Sequence, residues 1–457
     1  MAQSIDSARP LRLVPFRALR YNPAVIGDLG AVTCPPYDVI GADGVGSWEA
    51  ADEHNVVRLI LPRPGDGDDR YTHAASELRR WLATGVLVQD RAPSLYVYEH
   101  TSPGGTALGL VGAVSLHEPG ERRVLPHEDV FPGPVEDRAA LMTATAAQLE
   151  PILLTYDGGG PASDVVDEAV TTEPDIQART SDGSIHRVWR VGDHAALVRI
   201  AADLADRHVL IADGHHRYAA YLRLRQRSIP GSDAGLAMLV DARRHPLRIG
   251  AIHRSVSGLR WRVALNAAER AFGAVEVLHH VAAPRLGGGS AIPPASTADE
   301  AARLGEAARL GEAARVAEAA LSRLADARSR TGGPSFAIVS GARVAMISRP
   351  DPGIVESSMP ADRSELWRSL DASVACEFVL RHLWGVQDND ARVSYHHSAT
   401  DAVAVASAAG GVALLLAPPQ HEDVLAIAAA GQRMPRKSTS FGPKPRTGLL
   451  MRLLNPS

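Results

Sequence analysis

The fold of this chain is decided by the stretch His208-Val-Leu-Ile-Ala-Asp213-Gly214-His215-His216-Arg217-Tyr218. Its residues 209–212 form a short apolar run rich in β-branched side chains, which is typical of a strand inside a sheet. Beyond them, apolar residues recur at helical spacing from Tyr218 to Leu224. The pattern therefore predicts a buried strand, a sharp turn at Asp213-Gly214 and a helix.

Such a corner favours the binding of an anion. The first backbone amides of a helix have no hydrogen-bond acceptor within the helix, and they lie at the positive end of its dipole. Gly214 allows the backbone to turn tightly and to approach a ligand closely. His215, His216 and Arg217 add donors for a phosphoryl oxygen, and Asp213 offers a carboxylate for a hydroxyl proton or a metal. Alternatively, Asp213 caps the helix and the other side chains make ordinary surface contacts.

Further sequence blocks surround this stretch along the chain. They are Cys34-Pro-Pro-Tyr-Asp-Val-Ile40, Val57-Arg-Leu-Ile-Leu-Pro62, Leu95-Tyr-Val-Tyr-Glu99, Val124-Leu-Pro-His-Glu128, Glu136-Asp-Arg138, Met434-Pro-Arg-Lys-Ser-Thr-Ser-Phe-Gly-Pro-Lys444 and Thr447-Gly-Leu449. In this order the blocks resemble the prokaryotic family catalogued as domain of unknown function 1015. The resemblance extends over nearly the whole chain.

The Ala-Asp-Gly-His-His-Arg-Tyr block by itself is similar to a block of the ADP-dependent free-serine kinases. Those enzymes share a fold with the nucleotide-binding segment of ParB partition proteins and with sulfiredoxin. The resemblance implies an α/β (α+β) protein with a ParB/sulfiredoxin-like mixed-sheet core, in which Asp213, His215, His216 and Arg217 carry phosphoryl transfer. The rest of the chain departs from the small kinases, so donor and acceptor stay open.

Composition narrows the class of protein. A chain of 457 residues is expected to form two or more domains, and 45% hydrophobic with 22% charged residues is typical of a folded soluble protein. A net charge of −4 does not indicate the excess of basic residues that is typical of proteins that bind nucleic acid. The two cysteines, Cys34 and Cys376, fit a reducing compartment. Without a long apolar run or a secretory signal, a cytoplasmic location and no membrane contact are expected.

A change of composition predicts the division into domains. Residues 285–334 are rich in Gly, Ala, Glu and Arg, and residues 301–315 form a tandem hexapeptide repeat, whose period matches neither the heptad nor the eleven-residue supercoil repeat. We expect a solvated helix there, without a site. The predicted organisation is an N-terminal α/β domain over residues 1–284, this linker and repeat helix, and a second α/β domain over residues 335–457.

The block that ends at Lys444 is expected to be a loop, because Pro435, Gly442 and Pro443 prevent long regular structure. Its cations and hydroxyls suit a polyphosphate or a carboxylated acceptor. We predict a phosphate clamp formed by four side chains, Lys437, Ser438, Thr439 and Lys444. The alternative is a basic tail whose side chains lie over the core.

The Leu-Pro-His-Glu motif supplies a second carboxylate, expected at the end of a β-hairpin around Pro119. Glu128 is a candidate general base, with His127 and Arg138 as substrate-binding neighbours. The alternative is an exposed turn in which Glu128 pairs weakly with an arginine. No HExxH or CxxC motif occurs, so the metal ligands remain unknown. Mg²⁺ that accompanies a nucleotide or pyrophosphate is the expected cofactor.

The sequence thus predicts a phosphotransferase that acts on the hydroxyl of a small metabolite. By resemblance, free L-serine is the leading acceptor, with ATP, ADP or pyrophosphate as donor. Two alternatives stay open: a nucleotide-binding regulatory protein without catalysis, and a phosphate-ester hydrolase that uses the same pocket with water.

Overall fold

The structure is a computed structural model that describes residues 9–41, 44–65, 67–278, 298–387 and 391–454. The chain divides into two compact units. The first unit consists of Met1–Arg248 together with Phe441–Ser457, and the second consists of Ile249–Ser440. Both boundaries between the units fall within short strands, Arg248–Gly250 and Ser440–Gly442.

The strands are β1 (Leu13–Val14), β2 (Ala18–Tyr21), β3 (Leu87–Gln89), β4 (Leu95–Ser102), β5 (Gly105–Ser115), β6 (Val124–Leu125), β7 (Ala147–Gln148), β8 (Ile152–Tyr156), β9 (Ile176–Arg179), β10 (Ile185–Val191), β11 (Val209–Asp213), β12 (Ala234–Asp241), β13 (Arg248–Gly250), β14 (His253–Val256), β15 (Phe272–Leu278), β16 (Ser335–Ser340), β17 (Arg343–Pro350), β18 (Val393–His396), β19 (Val412–Leu416), β20 (Ser440–Gly442) and β21 (Met451–Leu453).

The α-helices are α1 (Leu29–Val32), α2 (Val45–Ala51), α3 (Val57–Ile60), α4 (Arg70–Ala83), α5 (Pro132–Thr145), α6 (Pro161–Ala169), α7 (His194–Leu204), α8 (His215–Gln226), α9 (Trp261–Glu269), α10 (Ala298–Thr331), α11 (Pro352–Ser358), α12 (Glu365–Ser369), α13 (Asp371–Ser373), α14 (Ala399–Ala408) and α15 (His421–Ala429). A short 3₁₀ helix covers Pro119–Glu121, and a π-helix covers Val374–Leu383.

The first unit is built on a mixed sheet with the strand order β6-β11-β8-β12-β5-β4-β10-β9, and β1 pairs with β5. Strand β11 runs parallel to β6 and antiparallel to β8, so the apolar run before Gly214 lies inside the sheet. A smaller sheet has the order β3-β2-β21-β7. The predicted α/β fold with a mixed-sheet core is confirmed. Because β6 pairs with β11, the predicted hairpin before the Leu-Pro-His-Glu motif is wrong.

The second unit contains a sheet with the order β15-β17-β16-β19-β14-β18. Helix α10 packs against it with Val316, Ala320 and Leu324, all of which are buried. Residues 306–312 of the repeat are exposed, whereas packing against the sheet begins at Ala313, which is buried near the end of the repeat. Residues 285–297 of the predicted linker lie outside the described residues.

The two compact units differ from the division expected at residues 284 and 334. Strand β14 joins the sheet of the second unit before residue 284, and β21 returns to the first unit, where it pairs with β2 and β7. Composition could not indicate this return, because residues 441–457 carry no change in residue usage. Among the described residues, no helix combines the length and the apolar character that crossing a bilayer needs.

Candidate functional site

The candidate site is built on the corner between β11 and α8. Gly214 has a φ of +93°, a backbone conformation that L side chains rarely adopt. A Cβ atom at this position would also lie 2.7 Å from Cγ2 of Ile152. The Tyr218 amide donates to the Gly214 carbonyl at 2.9 Å and so starts the helix. The tight turn predicted from the sequence is therefore present, and only glycine suits it.

Lys444 reaches this corner from the C-terminal segment of the first unit. Its Nζ lies 2.5 Å from Oδ1 of Asp213 and 2.7 Å from Oδ2 of Asp38. An ammonium group has three N–H donors, so the two carboxylates leave one. Within the described ranges, no acceptor contacts that third N–H. The loop residue predicted to bind phosphate is thus held beside the start of α8 by two carboxylates.

Two groups of this cluster, Lys444 and Asp38, have pKa values that are shifted in favour of their charged forms. Burial opposes the charge on Lys444, but Asp213 and Asp38 outweigh it and hold the lysine pKa above its usual range. Burial likewise opposes ionisation of Asp38, yet Lys444 and Arg217 lower the pKa of that carboxyl. The chain has two lysines, Lys437 and Lys444, among 48 basic residues. A compact point charge between two carboxylates is a role that suits lysine better than the forked guanidinium of arginine.

Arg217 supports Asp213 from the interior. The arginine is 1% exposed, and its guanidinium donates to Oδ2 of Asp213 at 2.6 Å and to the Pro151 carbonyl at 2.8 Å. Burial lowers the pKa of Arg217, but Glu150 and Asp213 reverse this and raise it. Both carboxylate oxygens of Asp213 are therefore engaged, one by Lys444 and one by Arg217. In this position the guanidinium fixes the orientation of Asp213.

The two histidines of α8 accept hydrogen bonds from the backbone. The His127 amide donates to Nε2 of His215 at 3.3 Å, and the Phe131 amide donates to Nε2 of His216 at 3.1 Å. A backbone N–H can only donate, so each Nε2 carries no hydrogen and each neutral ring carries it on Nδ1. The ring of His216 also stacks on Phe131, whose side chain is half exposed.

Glu128 lies against the histidine pair. Its Oε2 is 3.7 Å from Nδ1 of His215, and its Oε1 is 3.9 Å from Nε2 of His127. The rings of His127 and His215 meet edge to face, with centroids 4.5 Å apart. The Glu128 side chain is 31% exposed, compared with 12% for Asp213. Of these two carboxylates, Glu128 is the more exposed to solvent.

Arg138 and Tyr37 pack together beside Arg217, whose guanidinium lies 5.9 Å from the centre of the Tyr37 ring. The Arg138 guanidinium donates to Oδ2 of Asp137 and to the Ile60 carbonyl at 2.7 Å, and the residue is 3% exposed. It also lies 4.4 Å from the centre of the Tyr37 ring. Burial raises the pKa of Tyr37 to about 12, so its hydroxyl stays protonated. The sequence left it open whether Tyr37 and Asp38 line a cleft or only fix the N-terminal strand, and neither was among the predicted site residues, although both lie in the quoted Cys-Pro-Pro-Tyr-Asp block.

The other three members of the predicted clamp belong to the second unit. Ser438 and Thr439 are buried, at 3% and 7% exposure, and Lys437 is exposed with a φ of +51°. The structure therefore brings Lys444 to the corner, together with Asp213, Gly214 and the histidines. For Lys437, Ser438 and Thr439, a phosphate-binding role stays a prediction.

The residues at the corner do not form a ready site for the expected Mg²⁺. The ammonium of Lys444 already lies between Asp38 and Asp213, and both oxygens of Asp213 have partners. In the part of the chain that the structure describes, no three His, Cys, Asp or Glu side chains are grouped to hold a metal. Mg²⁺ is commonly held by one or two carboxylates with phosphate oxygens, and this carboxylate pair does not fit it.

Several solved structures are similar to this chain at low TM-scores. A free serine kinase mutant in complex with ADP has a TM-score of 0.32 at 13% identity, covering 72% of this chain and 89% of that one. C-terminally truncated SbnI from Staphylococcus aureus gives 0.33 at 12%, covering 75% and 87%. A conserved hypothetical protein from Pyrococcus furiosus gives 0.30 at 13%, covering 70% and 87%. Similarity at this level transfers neither fold nor activity to this chain.

No protein of curated function matches the sequence. A family model does match, over residues 13–373, a range that contains Asp38, Glu128 and the β11–α8 corner and ends before Lys444. The match extends over well more than half of the chain. The chain therefore belongs to the family described as Protein of unknown function (DUF1015).

Proposed function

We propose that the protein is a phosphotransferase that acts on the hydroxyl of a small metabolite, with free L-serine as acceptor and ATP, ADP or pyrophosphate as donor. One observation carries the proposal. The ammonium of Lys444 lies between Asp38 and Asp213 at the residue that precedes the Gly214 turn, and one of its N–H donors remains for a ligand.

The donor phosphates would bind at the start of α8. The amides of a first helical turn and the positive end of the helix dipole favour a phosphate group. The third N–H of Lys444 adds a charge-assisted hydrogen bond to the same group. Asp38 and Asp213 neutralise much of the lysine charge. Lys444 would therefore bind the phosphate mainly through this directed hydrogen bond, and the phosphate could still be released.

The acceptor hydroxyl would bind near Glu128. In the proposed step, its oxygen attacks the terminal phosphorus of the donor, the bond from that phosphorus to the leaving oxygen breaks, and the hydroxyl proton moves to Glu128. Nδ1 of His215 faces Glu128 and would stabilise its ionised form before transfer. Positioning and charge neutralisation supply most of the catalysis in such reactions. If Mg²⁺ takes part, it would arrive with the donor phosphates and neutralise their charge.

Phosphorus NMR of the full chain tests this proposal. Purified protein is incubated with L-serine, Mg²⁺ and one donor at a time, and the expected product is O-phosphoserine. Glu128→Gln should lower turnover by about 10²–10⁴-fold, which is the usual contribution of a general base. Glu136→Gln is the matched control, because Glu136 is half exposed and pairs with Arg223 and Arg227 on the surface.

Two other results would contradict the proposal and select an alternative. Thermal stabilisation by nucleotide without a new phosphomonoester would favour a non-catalytic nucleotide-binding regulator. Release of phosphate from added O-phosphoserine, without transfer, would favour a hydrolase. We assign the reaction to the cytoplasm, because two cysteines in 457 residues fit a reducing compartment, and we expect only small-molecule partners.

A further inference from the structure

The second unit contains a cavity of about 280 Å³, which belongs to no part of the site described above. Its wall is formed by the end of α10, by α13, and by the start of α15, with Ser438 from the loop before β20. The volume is at the small end of ligand pockets, which span ~300–1,000 Å³. It suits a molecule the size of an amino acid or a short amine.

The charged groups of the wall leave an excess of negative charge. The Arg328 guanidinium donates to Asp371, which is 9% exposed. Asp423 also lines the cavity, and within the described residues no cation forms an ion pair with it. Burial raises the pKa of Asp371 to about 6, and Asp423 contributes to that rise, so the two carboxylates interact. With both ionised, one guanidinium faces two carboxylates.

An unsatisfied hydroxyl lies in the same wall. Ser438 is 3% exposed, and no described residue gives its Oγ a hydrogen-bond partner. A buried polar atom without a partner costs about 1–3 kcal/mol, so such atoms often mark the place of a missing ligand or water. The π-helix Val374–Leu383 follows directly after α13, and π-helical turns are frequent at functional sites.

We propose that this cavity binds a small aliphatic molecule with a primary ammonium group. The ammonium would lie between Asp423 and Asp371, where it compensates the second carboxylate, and an N–H or hydroxyl of the ligand would satisfy Oγ of Ser438. The proposal does not depend on the phosphotransferase function, because its residues all belong to the second unit.

Calorimetric titration of the full chain with three four-carbon probes tests the charge requirement. Diaminobutane, butanediol and succinate have similar lengths and differ in charge. Diaminobutane should bind at one site per chain, with at least tenfold higher affinity than the other two. Equal binding of butanediol or succinate, or no binding of diaminobutane at millimolar concentration, would overturn the proposal. This comparison uses the wild-type chain and needs no variant to fold.

A pair of variants then locates the site. Asp423→Asn should weaken diaminobutane binding about tenfold or more, as expected for loss of a charge-assisted hydrogen bond. Glu422→Gln is the matched control, because Glu422 lies in the same first turn of α15, is exposed and does not line the cavity. If Asp423→Asn and Glu422→Gln bind diaminobutane equally well, the site is not this cavity.

Discussion

Replacement of Lys444 by methionine removes the cation between Asp38 and Asp213 and keeps most of the apolar stem. Loss of one partner from a buried ion pair costs about 3–5 kcal/mol. Two features reduce this figure here. Asp213 retains its bond to Arg217, and the Asp38 side chain is 37% exposed, so water screens part of the remaining charge. We therefore expect a loss of about 2–3 kcal/mol in the free energy of unfolding.

Urea unfolding followed by circular dichroism measures this loss. Lys437→Met is the matched control, because Lys437 is the other lysine of the chain, is exposed, and should change stability by less than ~0.5 kcal/mol. The folded pKa of Asp38 is lowered, so its stabilisation is present above the ordinary carboxyl pKa of about 3.9 and is lost as pH falls below it. The difference between wild type and Lys444→Met should shrink there. Equal stability of the two lysine variants at pH 7 would refute the role of Lys444.

Three further predictions concern the first unit. Gly214→Ala should cost about 2–4 kcal/mol in the free energy of unfolding measured in urea, because it adds a left-handed alanine and a clash with Ile152; unchanged stability would contradict the reported turn. Burial lowers the pKa of His186 to about 3, so protonation of the unfolded chain near 6.5 should remove about 2 kcal/mol of stability between pH 7 and pH 5. His186→Asn should lose less over that interval in the same urea titrations, and an identical loss would refute the assignment. Glu128→Gln should lower phosphoserine formation in the NMR assay by the same factor of about 10²–10⁴ and retain the wild-type melting temperature, and wild-type turnover would exclude Glu128 as the base.

The corner at Gly214 was predictable because its determinants are local. An apolar β-branched run, a glycine and a helical repeat of apolar residues follow one another in the sequence, and the structure has a strand, a left-handed glycine and a helix there. Helix α4 also has a local determinant, because the Asp69 side chain caps its N-terminus by accepting from the amides of Tyr71 and Thr72.

The partners of the corner were less predictable, because they depend on chain segments far apart in sequence. Asp38 and Lys444 are 406 residues apart and meet at one lysine ammonium. The C-terminal segment returns to the first unit, where Thr447 forms a bridge with Cys34 and β21 pairs with β2, and no local pattern indicates this return. The pairing of β6 with β11 was missed for the same reason, since turn signals after β5 favoured a neighbouring hairpin.

The contacts of Arg138 and Arg217 were also hard to predict, because they depend on how deeply each side chain is buried. The sequence shows Arg138 and Arg217 as polar residues near motifs, which favoured contact with substrate. In the structure they are 3% and 1% exposed, and each donates to a backbone carbonyl and to a neighbouring aspartate. Both guanidinium groups pack against the Tyr37 ring, and this burial, which the sequence does not show, distinguishes an arginine that bonds to neighbouring protein groups from one that is exposed to a ligand.

Pyrophosphate titration of wild type and Lys444→Met by calorimetry measures whether Lys444 contributes to phosphate binding at the start of α8. Arg12→Met is the control, because it removes one exposed positive charge from the same unit. We expect that Lys444→Met, still folded by circular dichroism, binds pyrophosphate about 10–100-fold more weakly, whereas Arg12→Met binds it like wild type. Equal affinity of wild type and Lys444→Met would contradict a phosphate site at the start of α8.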